Sequence, residues 1–155
     1  MTSAYSVVTN AGETRQYSTF HVADMFMGIE LTRVQELLRF QEMTSVPLAP
    51  KAIEGLINLR GQIVTALDVR RVLGLPAVES EDKLPMNIVI QSEGGPVSLL
   101  VDEICDVLDV PFEASTPLPE NMPALQRNLI EGVYQLESRL LLILNADRVL
   151  NTAGN

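Results

Sequence analysis

The chain has 155 residues, of which 46% are hydrophobic and 20% charged, and its formal net charge is −9. This composition is that of a globular protein, and the length suits one domain or two small lobes that share a core. Only Arg70 and Arg71 are adjacent cations, which argues against a nucleic-acid-binding or anionic-membrane-binding surface. The longest aliphatic run, 140–144, is far shorter than the roughly 20 residues that span a bilayer. We therefore expect a soluble, cytoplasmic protein without direct membrane insertion.

The first elements of the chain are extended. Residues 1–15 are small and polar, which predicts a loose arm. Alternating side chains predict a strand at 16–22 and, after a tight turn, a second strand at 25–30. Residues 31–40 fit a helical and an extended pattern, and we expect a short turn followed by a strand. Residues 46–50 carry two prolines, which exclude a central strand.

The stretch that follows has the most distinctive sequence of the chain. A helical turn at 51–54 ended by Gly55, strands at 56–59 and 62–67, and a helix at 69–73 are predicted in that order. Arg60 and Gly61 form the tight turn between the two strands. Asp68 can cap the short helix, because its carboxylate can accept a hydrogen bond from the first free amides.

A second cycle of elements begins after a solvated linker at 77–85. It comprises strands at 86–91 and 97–101, an ambiguous segment at 102–110, a proline-rich loop at 111–126, strands at 129–136 and 139–144, and a helix from Asn145 to about 150. The turn at 93–96 contains two glycines and one proline, as tight turns often do.

The second cycle repeats the first. Residues 130–136 match residues 53–59 at a separation of 77 positions, and residues 104–108 match 34–38 at a separation of 70. Collinear matches with one insertion are difficult to attribute to chance. Because a small sheet buries its apolar face best by curling, the repeat predicts a mainly β fold with short helices. We expect one domain, 1–155, built of two pseudo-symmetric five-stranded β-barrel lobes at 16–76 and 86–151 that share a hydrophobic core and can exchange strands.

The sequence shows no arrangement that is typical of catalysis. His21 is the only histidine and lies in a strand pattern, so we expect a structural histidine and neither a metal ligand nor a general base. Cys105 is the only cysteine, and its apolar setting suggests a buried thiol. There is neither a G-x-G-x-x-G nor a Walker motif. These observations predict no catalytic residue, no metal site and no cofactor.

Arg60 is the most informative polar residue. It could be a hairpin-tip arginine in solvent, or a planar donor that braces a carboxylate with geometry that lysine does not reproduce. The second copy has Glu137 at this position, so the fold itself does not require arginine. The asymmetry suggests a task specific to the first lobe, and Glu36 is the candidate partner of Arg60.

The motif around Arg60 carries a resemblance to a known family. Asn58-Leu59-Arg60-Gly61, followed by Ile63-Val64 and by Leu67-Asp68-Val69-Arg70, resembles the signature of the CheW family of chemotaxis coupling proteins. Residues 28–30 and 34–36 resemble the first half of the family, and residues 101–102 and 106–108 resemble its second half. The similarity covers about 17–150. The chain departs from the family pattern at Thr65, where proline is usual, and at Val69, where leucine is usual.

The resemblance implies two five-stranded barrels around a shared core and a protein that is not an enzyme. Members of the family are cytoplasmic adaptors of two-component chemotaxis signalling. They join the cytoplasmic tip of chemoreceptors, the methyl-accepting chemotaxis proteins, to the regulatory domain of the histidine kinase CheA. They act in membrane-associated receptor arrays, where other CheW copies can complete rings.

The resemblance also implies three sets of site residues. The receptor-binding groove would be lined by Leu31, Val34, Leu37 and Ile104. Coupling and orientation would depend on Glu36, Asn58 and Arg60. The kinase would dock on Leu38, Phe40, Glu54 and Gly55.

Two alternatives remain open at this point. The chain could be a coupling protein of a non-flagellar chemosensory pathway that controls pili, second messengers or development. It could also be a small-molecule-binding or hydrolytic barrel that uses the groove between the lobes. A pocket with converging polar groups would favour the latter, whereas an open apolar groove would not.

Overall fold

A computed structural model of the chain describes residues 14–78 and 83–153. Most of the predicted N-terminal arm, 1–13, and residues 79–82 of the predicted linker lie outside the described residues. Among the helices of the described part, none has the length and hydropathy needed to cross a bilayer.

The described residues form strands and three short α-helices. In chain order these are β1 (Thr14–Val22), β2 (Met25–Glu30), β3 (Val34–Leu38), β4 (Ile53–Leu59), β5 (Gln62–Asp68), α1 (Val69–Val72), β6 (Met86–Ile90), β7 (Val97–Val101), β8 (Glu103–Pro111), β9 (Ser115–Thr116), α2 (Ala124–Leu129), β10 (Ile130–Gln135), β11 (Leu140–Leu144) and α3 (Ala146–Ala153). Short 3₁₀ turns precede β3 and β9. The predicted mainly β fold with short helices is confirmed.

The strands form two sheets, and each sheet takes strands from both halves of the chain. The six-stranded sheet has the order β8-β1-β2-β11-β10-β9, and the five-stranded sheet has the order β3-β6-β7-β5-β4. Neighbouring strands are antiparallel except at β2–β11 and β5–β7, which are parallel. The strand count is therefore six and five, where the sequence predicts five in each lobe, because the short β9 joins the edge of one sheet.

The register of the strands follows the internal repeat. Val34 of β3 pairs with Ile90 of β6. The residue 70 positions after Val34 is Ile104, and the residue 70 positions before Ile90 is Phe20. Ile104 and Phe20 also pair, so the repeat carries one pair onto the other. The parallel pairs obey the same relation. A shift of 77 positions takes β5 to β11 and a shift of 70 takes β2 to β7, and β5 pairs with β7 as β11 pairs with β2. The repeat therefore relates one sheet to the other. In each sheet, the hairpin from one half of the chain, β1–β2 or β6–β7, pairs with strands from the other half.

The core has three parts because successive side chains of a strand point to opposite faces. In β11, Leu142 and Leu144 belong to a large cluster, the shared core, that includes side chains from both sheets and all three helices. Leu141 and Ile143 belong to a second cluster, the six-strand cluster. A third, the five-strand cluster, contains Ile57, Leu59, Val64 and Val89. Each sheet therefore covers the shared core with one face and encloses its own cluster with the other, as a curled sheet does.

The chain after β3 returns to the far edge of the five-stranded sheet. Thr44 and Leu56 exchange two backbone hydrogen bonds of 2.8 Å. In the other sheet β9 makes the equivalent contact with β10. The predicted helical turn at 51–54 is wrong, since β4 already begins at Ile53. Gly55 lies inside β4, where the absence of a side chain lets the Thr44 backbone approach.

Helix α2 also differs from the sequence-based expectation, which places a loop at 111–126 and begins a strand at Leu129. The helix begins after Pro123 and ends at Leu129, whose side chain is buried in the shared core. A helix this short has too few turns to show a 3.6-residue period in the sequence. The other predicted strands are confirmed to within a few residues. The predicted cap of α1 is also confirmed, because Asp68 Oδ1 accepts a hydrogen bond from the Arg70 amide at 3.0 Å.

Gly55→Ala tests the close approach to Thr44. A Cβ at Gly55 would lie 2.7 Å from the Thr44 backbone oxygen and 3.2 Å from the Met43 Cβ. Such overpacking typically costs about 1–3 kcal/mol, and we expect that decrease in the free energy of unfolding, measured by urea denaturation. Gly132, the repeat equivalent, would place its Cβ more than 4 Å from the nearest such atom. Gly132→Ala should leave the stability unchanged or slightly raised, and an equal loss in both variants would contradict this account.

Candidate functional site

The tip of the β4–β5 hairpin is a tight turn with both central residues in the left-handed region. Arg60 has φ 51° and Gly61 has φ 88°, which is the backbone of a type I′ turn. A positive φ is uncommon for arginine. The Asn58 side chain stabilises the turn, since its Oδ1 accepts a hydrogen bond from the Gly61 amide at 2.9 Å. Asn58 thus has a local role that fixes the position from which Arg60 projects.

The Arg60 guanidinium binds the Glu36 carboxylate with two hydrogen bonds. Nη1 donates to Oε1 at 3.0 Å, and Nη2 donates to Oε2. This bidentate arrangement is the one predicted for the pair, and it uses the planar geometry of arginine. Glu36 lies on β3 and Arg60 follows β4, which are the two edge strands of the five-stranded sheet. The ion pair therefore joins the edges of the curled sheet. We call it the edge clamp.

The edge clamp is open to solvent on its arginine side. The Arg60 side chain is 68% exposed, whereas that of Glu36 is 26% exposed. The hydrogen bond from Arg60 holds the pKa of Glu36 below its ordinary value and raises the pKa of Arg60. Exposed ion pairs contribute little to stability. The main physical effect of the clamp is to fix the orientation of an exposed cation.

The second copy of the repeat cannot form this clamp. Glu137 occupies the position of Arg60, and Asp106 occupies the position of Glu36. Two carboxylates repel each other where the first copy has an attractive pair. The clamp is therefore specific to the five-stranded sheet, as the sequence comparison of the copies suggested.

The residues predicted to line a receptor groove have different environments. Val34 and Ile104 are half-buried and pack against the shared core. Leu37 is 39% exposed, and its repeat equivalent Val107 is 44% exposed. Leu31 is half-buried in the turn before β3. Val107 is not among the residues predicted for the groove, although the separation of 70 positions that relates Val34 to Ile104 also relates Leu37 to Val107.

The residues predicted to bind the kinase are partly occupied within the chain. Leu38 packs against the five-strand cluster, and Phe40 is partly exposed. The Glu54 carboxylate forms an ion pair of 2.8 Å with Nη2 of Arg71. Gly55 is buried against Thr44 and offers no surface.

Two exposed apolar side chains near these elements were not predicted as site residues. Ile63 pairs with Asn58 beside the hairpin tip and is 60% exposed. Leu48 is fully exposed and has φ 64°, which is unusual for leucine. The alternation of β5, in which Val64 is buried, provides a sequence signal for Ile63. No local pattern indicates the backbone conformation of Leu48.

A second ion pair explains other residues of the family signature. Nε of Arg70 donates to Oδ1 of Asp102 at 2.9 Å, and Oδ2 of Asp102 accepts a hydrogen bond from the Ala23 amide at 2.8 Å. Burial opposes ionisation of Asp102, but the hydrogen bonds from Arg70 and Ala23 outweigh it and lower the pKa of the carboxyl group. This pair joins the β1–β2 turn, α1 and the start of β8, so its role is structural.

The Arg70–Asp102 pair borders a surface depression of about 740 Å³. These two charged groups bond to each other and to backbone atoms, and His21 and Glu103 also line the depression. Among the described residues, one group of metal-donor side chains lies within mutual reach: His21, Glu103 and Cys105, on the six-stranded sheet. It is on the other sheet from the edge clamp.

Similarity to a solved structure identifies the class of fold. The scaffolding protein TtCheW from Thermoanaerobacter tengcongensis superposes with a TM-score of 0.75 at 22% identity, over 86% of this chain and 90% of that one. At this level of identity the likeness concerns the fold alone. The two exchanged sheets described above are thus the fold of a known scaffolding protein.

Sequence comparisons identify the family. A family model described as CheW-like domain matches residues 16–154. The chemotaxis protein CheW of Rhizobium meliloti (strain 1021) is 32% identical over 149 residues, which is 96% of this chain and 94% of that protein. The chemotaxis protein CheW of Bacillus subtilis (strain 168) is 34% identical over 124 residues, 80% of this chain and 79% of that protein. Protein FrzA of Myxococcus xanthus is 25% identical over 152 residues, 96% and 92% of the two chains. The chain belongs to the CheW-like domain family, as the resemblance predicted.

The pKa of Glu36 provides a test of the edge clamp. We expect it to lie below the ordinary value in the wild type and to return towards that value in Arg60→Ala, because the hydrogen bond that lowers it is lost. Carbon-detected NMR of the Glu36 side chain against pH measures both values. Since the folded-state pKa is lowered, the stabilising contribution is present above the unfolded-state pKa and lost as the pH falls through the folded-state pKa.

Glu131 is the internal control for this titration. Reduced solvation and the neighbouring Glu30 carboxylate raise its pKa, and Arg60 is not among the causes of that shift. Arg60→Ala should therefore leave the titration of Glu131 unchanged. Identical Glu36 titrations in the two proteins would show that the clamp does not persist in solution.

Proposed function

We propose that this chain is a non-enzymatic adaptor that couples chemoreceptors to the histidine kinase CheA in bacterial chemotaxis signalling. Membership of the CheW-like family and the names of its relatives support this function. The observation that carries the proposal is the edge clamp, which holds an exposed guanidinium at a fixed hairpin tip. The protein would work in the cytoplasm at membrane-associated receptor arrays, in contact with further CheW copies.

The receptor tip binds at the margin of the shared core. Leu37 and Val107 supply exposed apolar contacts there, and Val34 and Ile104 support them from the core side. An amphipathic helix presents its apolar side chains at positions i, i+3 and i+4, which suits a narrow apolar margin. Leu31 extends this surface along the turn before β3.

The kinase binds at the end of the first lobe, with Phe40 and Leu38 as contacts. Glu54 and Gly55 act by shaping this surface, because the first is paired with Arg71 and the second is packed under Thr44. Arg60, with Glu36 and Asn58, fixes the orientation between the bound receptor and the bound kinase. Each contact can be weak, since an array raises the effective concentration of both partners.

Arg60→Ala tests the coupling role. We expect receptor-dependent kinase activation to fall by about tenfold, as for a central interface arginine, while circular dichroism melting stays close to that of the wild type. The assay uses receptor-containing membranes reconstituted with CheA. Arg60→Lys should not restore activity, because lysine cannot make the bidentate contact. Glu137→Ala, at the equivalent hairpin, is the matched control and should remain active.

The charge-swapped variant Glu36→Arg/Arg60→Glu separates two explanations of such a loss. It restores an ion pair between the edges but removes the cation from the hairpin tip. Low activity in the swapped protein would indicate that a partner contacts Arg60. Full activity would mean that only closure of the sheet matters, and unchanged activity in Arg60→Ala would remove the assigned role altogether.

Leu37→Glu and Val107→Glu test the receptor surface. We expect either substitution to weaken receptor binding by about tenfold, since it places a charge in an apolar contact, and to leave CheA binding within about twofold. Leu125→Glu is the control, because Leu125 is similarly exposed at 42% but lies on α2. Pull-down and calorimetry measure both affinities. Equal loss of receptor and kinase binding would point to unfolding.

A coupling role in a non-flagellar pathway is the second candidate. The similarity to Protein FrzA, whose name is not that of a chemotaxis protein, is the observation that favours it. The surfaces above would serve a different receptor and kinase pair in the same way. The genes that neighbour the coding sequence, and binding to the kinase they encode, would separate the two pathways.

A further inference from the structure

The only histidine and the only cysteine of the chain lie beside each other on the six-stranded sheet. His21 of β1 is directly opposite Glu103 of β8 in the antiparallel register. Cys105 follows Glu103 by two positions on β8. The ligand atoms of the three side chains all lie within 4.8 Å of one another. A modest change of side-chain rotamer could therefore bring all three donors to one ion.

The three donors lie beside the Phe26 ring and the Arg139 guanidinium on one side and are open to solvent on the other. The His21 ring lies 5.3 Å from the Phe26 ring, measured between centroids. Cys105 is half-buried against the six-strand cluster, whereas Glu103 is exposed. The guanidinium of Arg139 covers the Phe26 ring at 3.6 Å from its centroid. The floor of the site thus limits the motion of the ring and thiol, and the exposed side admits an ion.

The donor set has the chemistry of a zinc site. Imidazole nitrogen, thiolate sulfur and carboxylate oxygen are the ligands that Zn²⁺ takes in proteins, and three of them leave a fourth position for water or an incoming ligand. A hard cation such as Mg²⁺ or Ca²⁺ would instead need mainly oxygen ligands.

We propose that His21, Glu103 and Cys105 form a binding site for a divalent transition-metal ion of the zinc type, with one coordination position open. The two strands that supply the ligands come from different halves of the chain, β1 from the first and β8 from the second. A bound ion therefore cross-links the two halves and stabilises the six-stranded sheet. The site is independent of the edge clamp and of the proposed coupling role.

The test uses the full chain without a histidine tag, reduced and freed of metal. Co²⁺ is the spectroscopic probe, because a cobalt–thiolate bond gives a charge-transfer absorption band. We expect one ion per chain, a band that is lost in Cys105→Ser, and a Zn²⁺ affinity that falls at least about tenfold in His21→Gln and in Glu103→Gln. Glu93→Gln, which removes an exposed carboxylate in the β6–β7 turn, is the control and should bind as the wild type does.

Two further readouts separate a built site from weak binding to an acidic surface. Zn²⁺ should raise the melting temperature of the wild type and leave that of Cys105→Ser unchanged. It should also protect Cys105 from alkylation in the wild type but not in His21→Gln. A wild-type protein without the cobalt–thiolate band would overturn the proposal even if a variant misfolds. Equal Zn²⁺ affinity in the wild type, Cys105→Ser and His21→Gln would also overturn it.

Discussion

The exchange of hairpins between the two halves is the constraint on which the rest of the structure depends. β1 and β2 complete their sheet with β8 and β11 of the second half, and β6 and β7 complete theirs with β3 and β5 of the first. Neither sheet can form from one half alone, so both must form around the same shared core. The Arg70–Asp102 pair and the Ala23 amide strengthen this arrangement at the point where the halves cross. Surfaces on the two sheets are consequently held in a fixed relation.

The two copies of the repeat share one fold but differ at equivalent positions, and these differences separate what the fold requires from what it does not. Gly55 is needed because Thr44 lies against it, whereas the equivalent Gly132 has open space. Arg60 is paired with Glu36, whereas Glu137 in the second copy has the opposite charge. A position that differs between equivalent sites cannot be a demand of the common fold. The charge at residue 60 is therefore not set by the common fold, whereas the close packing of Gly55 is a structural requirement of the first copy alone.

Local patterns in the sequence predicted most strands, the Asp68 cap, the repeat and the partnership of Glu36 with Arg60. They failed where distant segments decide the outcome. β4 begins at Ile53, which pairs with Leu67 of β5, and the composition of residues 51–54 does not reveal that pairing. The meeting of His21 with Glu103 and Cys105 depends on the register of β1 against β8, which no local period encodes. Val107 is different, because the match of residues 104–108 to 34–38 already pairs it with Leu37.

The weakness of the edge clamp as a source of stability is itself informative. An exposed ion pair loses much of its Coulomb energy to solvent and to the ordering of two long side chains. Yet the clamp has bidentate geometry, an arginine with positive φ, and a turn in which Asn58 Oδ1 accepts a hydrogen bond from the Gly61 amide. Sheet edges with free backbone groups invite another chain, and a clamp across them limits that risk. Since Arg60 is already ordered, a partner that binds it loses less conformational entropy. These features therefore fit the proposed coupling role, in which Arg60 meets a partner, better than a role in stability.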